Sequence, residues 1–273
     1  MHDSDVNAGR DDARAGENGD LTGEVALVTG GGRGIGRATA LALARRGARV
    51  MAVSRTRAEL DAVAAEHAAI VAHDVSLDTA DGCRAALDAT REALGPPSIL
   101  VCNAGVGSAD ERPLWEQEPA LWHASMALNL HAPFELMRRA ARDMIAARHG
   151  RIVVVASTAG LFGSPSTTAY CAAKHGVIGL VRAAALDLAP YAVTCNAVNP
   201  GWVRTVMSER SAEAAAEREH VSVQEIWRRR TNEYAAGRLP TVEEVAETIC
   251  FLSSPGASGI SGEAISVALG DLW

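Results

Sequence analysis

Tyr170-Cys171-Ala172-Ala173-Lys174 sets a phenol and an ammonium four residues apart. On a helix, that spacing puts both side chains on one face. An unperturbed phenol keeps its proton until about pH 10, too tightly for exchange at neutral pH. A neighbouring ammonium favours the phenolate and lowers that pKa, which is what a tyrosine acting as general acid/base requires. The spacing alone also arises by chance, as an exposed Tyr and Lys on an ordinary helix, so its surroundings decide. Ser157 lies upstream in Val155-Ala156-Ser157-Thr158-Ala159-Gly160, just after an apolar run. Its hydroxyl is suited to hydrogen-bonding a substrate oxygen; capping a turn is the competing role, and Thr158 the competing hydroxyl. Asn129 is followed four residues later by Pro133. Proline has no N–H, so the Asn129 carbonyl loses its usual helical donor and the helix should bend. A freed carbonyl there would hold a water and extend a proton relay from Lys174 to solvent. Finally, Lys174 is the single lysine among 26 basic residues. Lysine offers a compact ammonium with a movable pKa where arginine offers a planar fork; a strong codon bias is the bland alternative.

A second group of residues points to a nucleotide. Thr29-Gly30-Gly31-Gly32-Arg33-Gly34-Ile35-Gly36 follows the first apolar run and opens an Ala/Leu helix. Glycines in that context allow a tight turn and a close approach of backbone N–H groups to a pyrophosphate. An acidic residue at the end of the second strand would select NAD by accepting from the ribose hydroxyls. That position reads Val53-Ser54-Arg55, without a carboxylate, and Arg33 and Arg55 are placed to flank a 2′-phosphate. NADP(H) is therefore expected, the alternative for Arg55 being a solvent-facing strand end. Asp74-Val75 follows the third strand, where the carboxylate would accept from the adenine amino group. Asn103-Ala104-Gly105 ends the fourth, where small residues let a ribose approach. Pro200-Gly201-Trp202-Val203-Arg204-Thr205 follows the sixth, with Thr205 expected against the nicotinamide carboxamide.

The elements that must carry these residues alternate. Apolar runs at Val25–Val28, Arg49–Val53, Ile70–Ala72, Ile99–Val101, Arg151–Ala156, Val193–Val198 and Ala264–Val267 are separated by helical patterns near 35–46, 57–67, 79–94, 121–147, 168–188 and 242–253. Continuous apolar strands between helices predict an α/β fold: a single doubly wound, Rossmann-type domain with a seven-stranded, mainly parallel sheet. The 273 residues suffice for one large domain over 21–273. Aromatics at 4% imply a core of Ala, Val, Leu and Ile. Residues 1–20 are polar and Gly-rich and are expected to be a disordered tail. Residues 205–238 interrupt the rhythm with a polar helical stretch, read as a helical lid over the substrate.

Net charge of −7 without a basic block argues against nucleic acid, and the arginine pairs read as solvated helix faces. No apolar run approaches the length of a membrane helix and the acidic N-terminus is no secretory signal. Five scattered cysteines fit reduced thiols in a cytoplasmic protein. The eight histidines lack ligand-like spacing, so no metal is expected.

The chain is identified as a member of the classical short-chain dehydrogenase/reductase family on Thr29–Gly36, Asn103-Ala104-Gly105, Asn129, Ser157, Tyr170, Lys174 and Pro200-Gly201. The resemblance spans about 21–273 and implies a catalytic Asn129–Ser157–Tyr170–Lys174 tetrad. It further implies a cofactor site of Gly30, Arg33, Gly34, Ile35, Gly36, Ser54, Arg55, Asp74, Val75, Asn103, Ala104, Gly105, Tyr170, Lys174, Pro200, Gly201, Val203 and Thr205, and a homotetramer or homodimer. Ala172–Gly179, Pro200–Val203 and Glu225-Ile226-Trp227 resemble two subgroups. One is the aromatic polyketide ketoreductases of antibiotic biosynthesis, which reduce polyketide-derived or polycyclic ketones with NADPH. The other is the 3-hydroxybutyrate dehydrogenases, which act on small hydroxy acids, typically with NAD; a 3-hydroxyacyl thioester belongs to the same alternative. The cofactor reading and the long lid favour the ketoreductases. Leu161, Phe162, Trp202, Met207, Ile226 and Trp227 are then the substrate-pocket candidates, with inward packing or an interface as their other use. Cys102, Ser98 and the tail Ala268–Trp273 depart from the family pattern and put local packing and C-terminal assembly in question, not catalysis. A cofactor-binding protein without turnover would have lost a tetrad member, and all four are present.

Overall fold

The computed structural model describes residues 19–108, 110 and 112–270. The disordered tail expected over 1–20 therefore falls, but for Gly19 and Asp20, outside the described residues, as do 271–273 of the unusual C-terminus. Seven strands, β1 (Val25–Thr29), β2 (Arg49–Ser54), β3 (Ile70–Asp74), β4 (Ile99–Cys102), β5 (Gly150–Val155), β6 (Val193–Pro200) and β7 (Ala264–Val267), form one sheet in the order β3-β2-β1-β4-β5-β6-β7. Every pairing is parallel: Leu27 of β1 is flanked by Met51 of β2 and Leu100 of β4. The helices are α1 (Gly34–Arg45), α2 (Arg57–Ala64), α3 (Ala80–Leu94), α4 (Pro119–Met126), α5 (Ala132–Ala147), α6 (Thr168–Leu188), α7 (Val206–Glu219), α8 (Val223–Asn232) and α9 (Val242–Ser253).

Strand side chains alternate between two buried layers, so a strand buried on both faces must be apolar throughout. Ala26, Val28, Val50, Ala52, Val153 and Val198 pack beneath α1, α2 and α9. Their neighbours Leu27, Met51, Leu100, Ile152 and Ala197 pack beneath α3, α5 and α6. α7 and α8 have a small core of their own, formed by Ala212, Ala215, Ala216, Ile226 and Trp227.

The departures from pattern acquire local roles at the amino ends of the strands. Ser98 accepts from the Val25 N–H at 3.1 Å and donates to Glu24, whose carboxylate also meets His149 Nε2 at 3.0 Å. Ser98 thus ties the start of β4 to β1, on the face opposite the glycine loop. Among the described residues, no helix is long and apolar enough to cross a membrane.

Candidate active site

Strand order reverses direction at β1, between β2 and β4, and the crevice outside the carboxyl ends of these strands is where open α/β sheets bind ligands. A cavity of about 780 Å³ runs there, from the glycine loop past β4 to the start of α6 and the base of α7. Gly34 takes φ +54° as the first residue of α1, a left-handed conformation that favours glycine. Gly36 lies beneath the loop: a Cβ there would stand 2.1 Å from the Gly30 carbonyl oxygen, so only glycine lets the helix start pass this close. It supports the loop without lining the cavity. Gly30, Arg33, Gly34, Ile35, Ser54 and Arg55 do line it. Arg33 reaches Glu59 on α2 at 3.2 Å, whereas no carboxylate stands within ion-pair distance of Arg55 among the described residues.

At the next strand end the structure departs from expectation. Asp74 turns its carboxylate to Arg57 at 3.4 Å and is absent from the cavity wall. Beyond β3 the cavity is bounded instead by Val75, Ser76, Leu77 and Asp78. Asn103 is fastened by its own chain: its N–H meets Thr29 Oγ1 at 2.8 Å and its amide donates to the Thr29 carbonyl at 2.9 Å, so β4 and β1 end in register. Ala104, Gly105, Pro200, Gly201, Val203 and Thr205 complete the wall. The Thr205 hydroxyl accepts from the Ser208 N–H at 3.3 Å in a capping box. This cap commits Thr205 to starting α7.

The four residues singled out for chemistry converge on one end of this cavity. α6 begins at Thr168, so Tyr170 sits in its first turn and Lys174 one turn further, on the same face. Lys174 is buried; its Nζ lies 5.5 Å from the Tyr170 ring centroid and donates to the Val155 carbonyl at 2.9 Å. Burial without a carboxylate partner lowers its pKa from 10.5 to about 8. Ser157, two residues beyond that carbonyl, caps the 3₁₀ turn Thr158–Gly160 by accepting from the Ala159 N–H at 3.1 Å. The two roles weighed for it are compatible, because a hydroxyl that accepts one bond can still donate its proton.

Asn129 occupies a π-helical turn, Ala127–His131, between α4 and α5. The Ala132 N–H bonds five residues back to Ala127, so the ladder is irregular immediately ahead of Pro133. The Asn129 side chain is a clamp: it donates to the Val106 carbonyl at 3.1 Å, accepts from the Val106 N–H at 3.2 Å and donates to Ser125 Oγ at 3.1 Å. This fixes the loop after β4 against the helix beside Lys174. Ser125 was not foreseeable, since nothing in its spacing marks it.

Of the pocket candidates, Phe162, Trp202 and Met207 line the cavity. Leu161 is half exposed outside it, and Ile226 and Trp227 are buried in the core between α7 and α8. The physical reason is amphipathicity: two short helices hide their largest apolar side chains against each other. Trp227 also donates to Glu209 at 2.8 Å. The buried Arg230 guanidinium stands 3.6 Å from the Trp202 ring centroid and donates to the Ser208 carbonyl at 3.2 Å and to Ser211 at 3.0 Å. Burial lowers its pKa to about 10. Glu233, which caps the end of α8, lines the cavity beside Trp202, and burial raises its pKa. Among the described residues no group of three His, Cys, Asp or Glu side chains converges to hold a metal.

Residues 24–216 match the family model for short chain dehydrogenases. Among curated relatives, the 3-oxoacyl-acyl-carrier-protein reductase FabG of Pseudomonas aeruginosa is 37% identical over 90% of this chain and 96% of its own. The D-beta-hydroxybutyrate dehydrogenase of Cupriavidus necator is 35% identical over 89% of this chain and 95% of its own. Among solved structures, a variant of actinorhodin polyketide ketoreductase with NADPH superposes with a TM-score of 0.87 at 32% identity, covering 92% of this chain and 98% of that one. Levodione reductase gives 0.86 at 28% identity, covering 91% and 97%.

Proposed function

Because the chain belongs to the short chain dehydrogenase family, we propose that it is an NADPH-dependent ketoreductase acting on a bulky neutral ketone, polyketide-derived or polycyclic. The residues present fit the cofactor. A glycine loop opens α1 under a long cavity, Gly36 admits no Cβ, and Arg33 and Arg55 offer cations at the end of β2. NADPH, when bound along Gly30–Ile35, Ser54-Arg55, Val75 and Asn103–Gly105, supplies the hydride. The protein's part is the proton and the orientation. Tyr170 gives its hydroxyl proton to the carbonyl oxygen as that oxygen gains charge, and Ser157 donates a hydrogen bond to the same oxygen. Lys174 lies beside the phenol, favours phenolate while charged, and releases its own proton near pH 8. The irregular turn at Asn129 supports the proposed exit of that proton toward solvent.

One observation carries the substrate class. Among the described residues that line the cavity around Phe162, Trp202, Val206 and Met207, the one cation is Lys174 at its base and the one carboxylate is Glu233, the other charged groups lying at the glycine-loop end. A small keto acid would bring a carboxylate with no partner there and a like charge opposite. A neutral, extended ketone meets aromatic and apolar walls instead. The test compares NADPH oxidation with a neutral bicyclic ketone and with acetoacetate. The neutral ketone is expected to give at least about tenfold higher kcat/KM, the scale of one unpaired charge; equal or better turnover of acetoacetate would overturn the reading. A second reading, reduction of a 3-oxoacyl thioester, is favoured by the similarity to FabG, and a cysteamine thioester probe in the same assay distinguishes it. Assembly as a homotetramer or homodimer belongs to the proposal and is supported by Phe134 on α5 and Leu186 on α6, both solvent-facing in the single chain.

A further inference from the structure

A carboxylate does stand at the end of β2, although the chain there reads Val53-Ser54-Arg55. Glu59 lies in the first turn of α2 and folds back over the glycine loop. A Cβ built on Gly32 would lie 3.0 Å from Glu59 Cβ, 3.1 Å from Ser54 Oγ and 3.3 Å from Glu59 Oε2. Its other oxygen holds Arg33 Nη1 at 3.2 Å, and Glu59, Arg33, Ser54 and Arg55 all line the cavity. The position is self-consistent: the helix N-terminus and Arg33 both favour negative charge there.

We propose that Glu59 sets the choice between NADPH and NADH by occupying Arg33 whenever a 2′-phosphate does not. The proposal rests on the reading of this cavity as a nicotinamide-cofactor site. Arg33 has one guanidinium to share between a fixed internal carboxylate and an incoming phosphate. A 2′-phosphate held by Arg33 and Arg55 must either displace Glu59 or sit beside a like charge. A ribose bearing a free 2′-hydroxyl meets no such conflict, and Glu59 can accept its proton in a hydrogen bond. Glu59 therefore narrows a preference that Arg33 and Arg55 alone would make steep. The pair is partly exposed, with side-chain exposures of 48% and 33%, so its influence is screened and its effect graded.

The experiment is direct binding to the full chain without substrate, read by cofactor fluorescence. NADPH and NADH are titrated into wild type, Glu59→Gln, Arg33→Gln and the double variant, at low and high salt. Glu59→Gln is expected to tighten NADPH about 3- to 10-fold, the range for a screened surface charge acting on a dianion, with a smaller gain at high salt. NADH should be unchanged or weaker by up to about threefold, as for one lost exposed hydrogen bond. In the Arg33→Gln background the gain in NADPH affinity should shrink, because the part that comes from releasing Arg33 is already gone and only the direct repulsion remains. An NADPH:NADH affinity ratio unchanged in Glu59→Gln, or shifted toward NADH, would overturn the proposal. The wild-type ratio is read separately. Tighter binding of NADH by wild type would count against NADPH as the working cofactor, while a shift of that ratio toward NADPH in Glu59→Gln would still support the role of Glu59.

Discussion

Replacing Lys174 by methionine removes the one buried ammonium and keeps most of the side chain's volume. Lys174 is 5% exposed, and its pKa falls from 10.5 to about 8 because burial penalises the charge. At about 1.4 kcal/mol per tenfold change in proton affinity, that drop corresponds to roughly 3 kcal/mol of burial cost carried by the folded protein at neutral pH. The sign follows from proton counting. Between pH 8 and 10.5 the unfolded chain keeps the Lys174 proton and the folded chain has lost it, so wild-type stability rises with pH through that window. Below pH 8 both states hold the proton and the full cost stands. The Lys174→Met protein has no such proton. Relative to it, the wild type should gain about 2 kcal/mol between pH 7 and pH 9.5, or roughly 4–8 °C in Tm for a domain of this size. At pH 7 the loss of the Nζ–Val155 hydrogen bond, worth about 1.5–3 kcal/mol, offsets most of the benefit of removing the charge, so the two proteins should melt within a few degrees. The assay is thermal unfolding of both proteins without cofactor at pH 7, 8, 9 and 9.5, scored as the difference in Tm at each pH. A difference that stays flat, or moves against the wild type as pH rises, would refute the reasoning, since it would mean that the lysine keeps its ordinary pKa in its buried position.

Three other perturbations follow from the packing around the cavity. Gly36→Ala puts a Cβ 2.1 Å from the Gly30 carbonyl, so the loop must shift; cofactor affinity should fall at least about tenfold, with a lower Tm, by fluorescence titration and thermal melts. Ser125→Ala strips the Asn129 amide of one acceptor at a buried position, a cost of about 1–3 kcal/mol in denaturant unfolding, and should lower kcat more than it raises KM. Trp227→Ala empties the core between α7 and α8, a loss of about 3–5 kcal/mol for a side chain of that size; this helix pair should become protease-sensitive and KM for a bulky ketone should rise while cofactor affinity holds.

Much of the fold was legible because strands buried on both faces must be apolar from end to end, and helices between them carry a different period. Val25–Val28 and Ile99–Val101 were visible as strands for that reason, and the helix over 168–188 was bounded to the residue. The foursome Asn129, Ser157, Tyr170 and Lys174 was legible as spacing, and the structure brings those residues to one cavity. What was hidden depends on contacts through space. Glu59 is invisible to a search of the strand end because it returns from the next helix. Ser125 is recognisable only through its bond to Asn129, and Glu233 only through its place on the cavity wall beside Trp202. Ile226 and Trp227 carried a correct apolar signal, but hydrophobicity alone does not tell a ligand wall from the core between two helices. Asp74 has a carboxylate at the expected strand end, yet Arg57, seventeen residues earlier, takes it.

The measurement closest to the central claim is turnover and cofactor binding in Tyr170→Phe, which deletes one oxygen from the first turn of α6. Using NADPH and a neutral bicyclic ketone, the loss of the proton donor should cut kcat by at least about 10²- to 10⁴-fold, while NADPH binds within about threefold of wild type. Turnover within tenfold of wild type would contradict the account, because the proton would then reach the carbonyl by a route in which Tyr170 has no part.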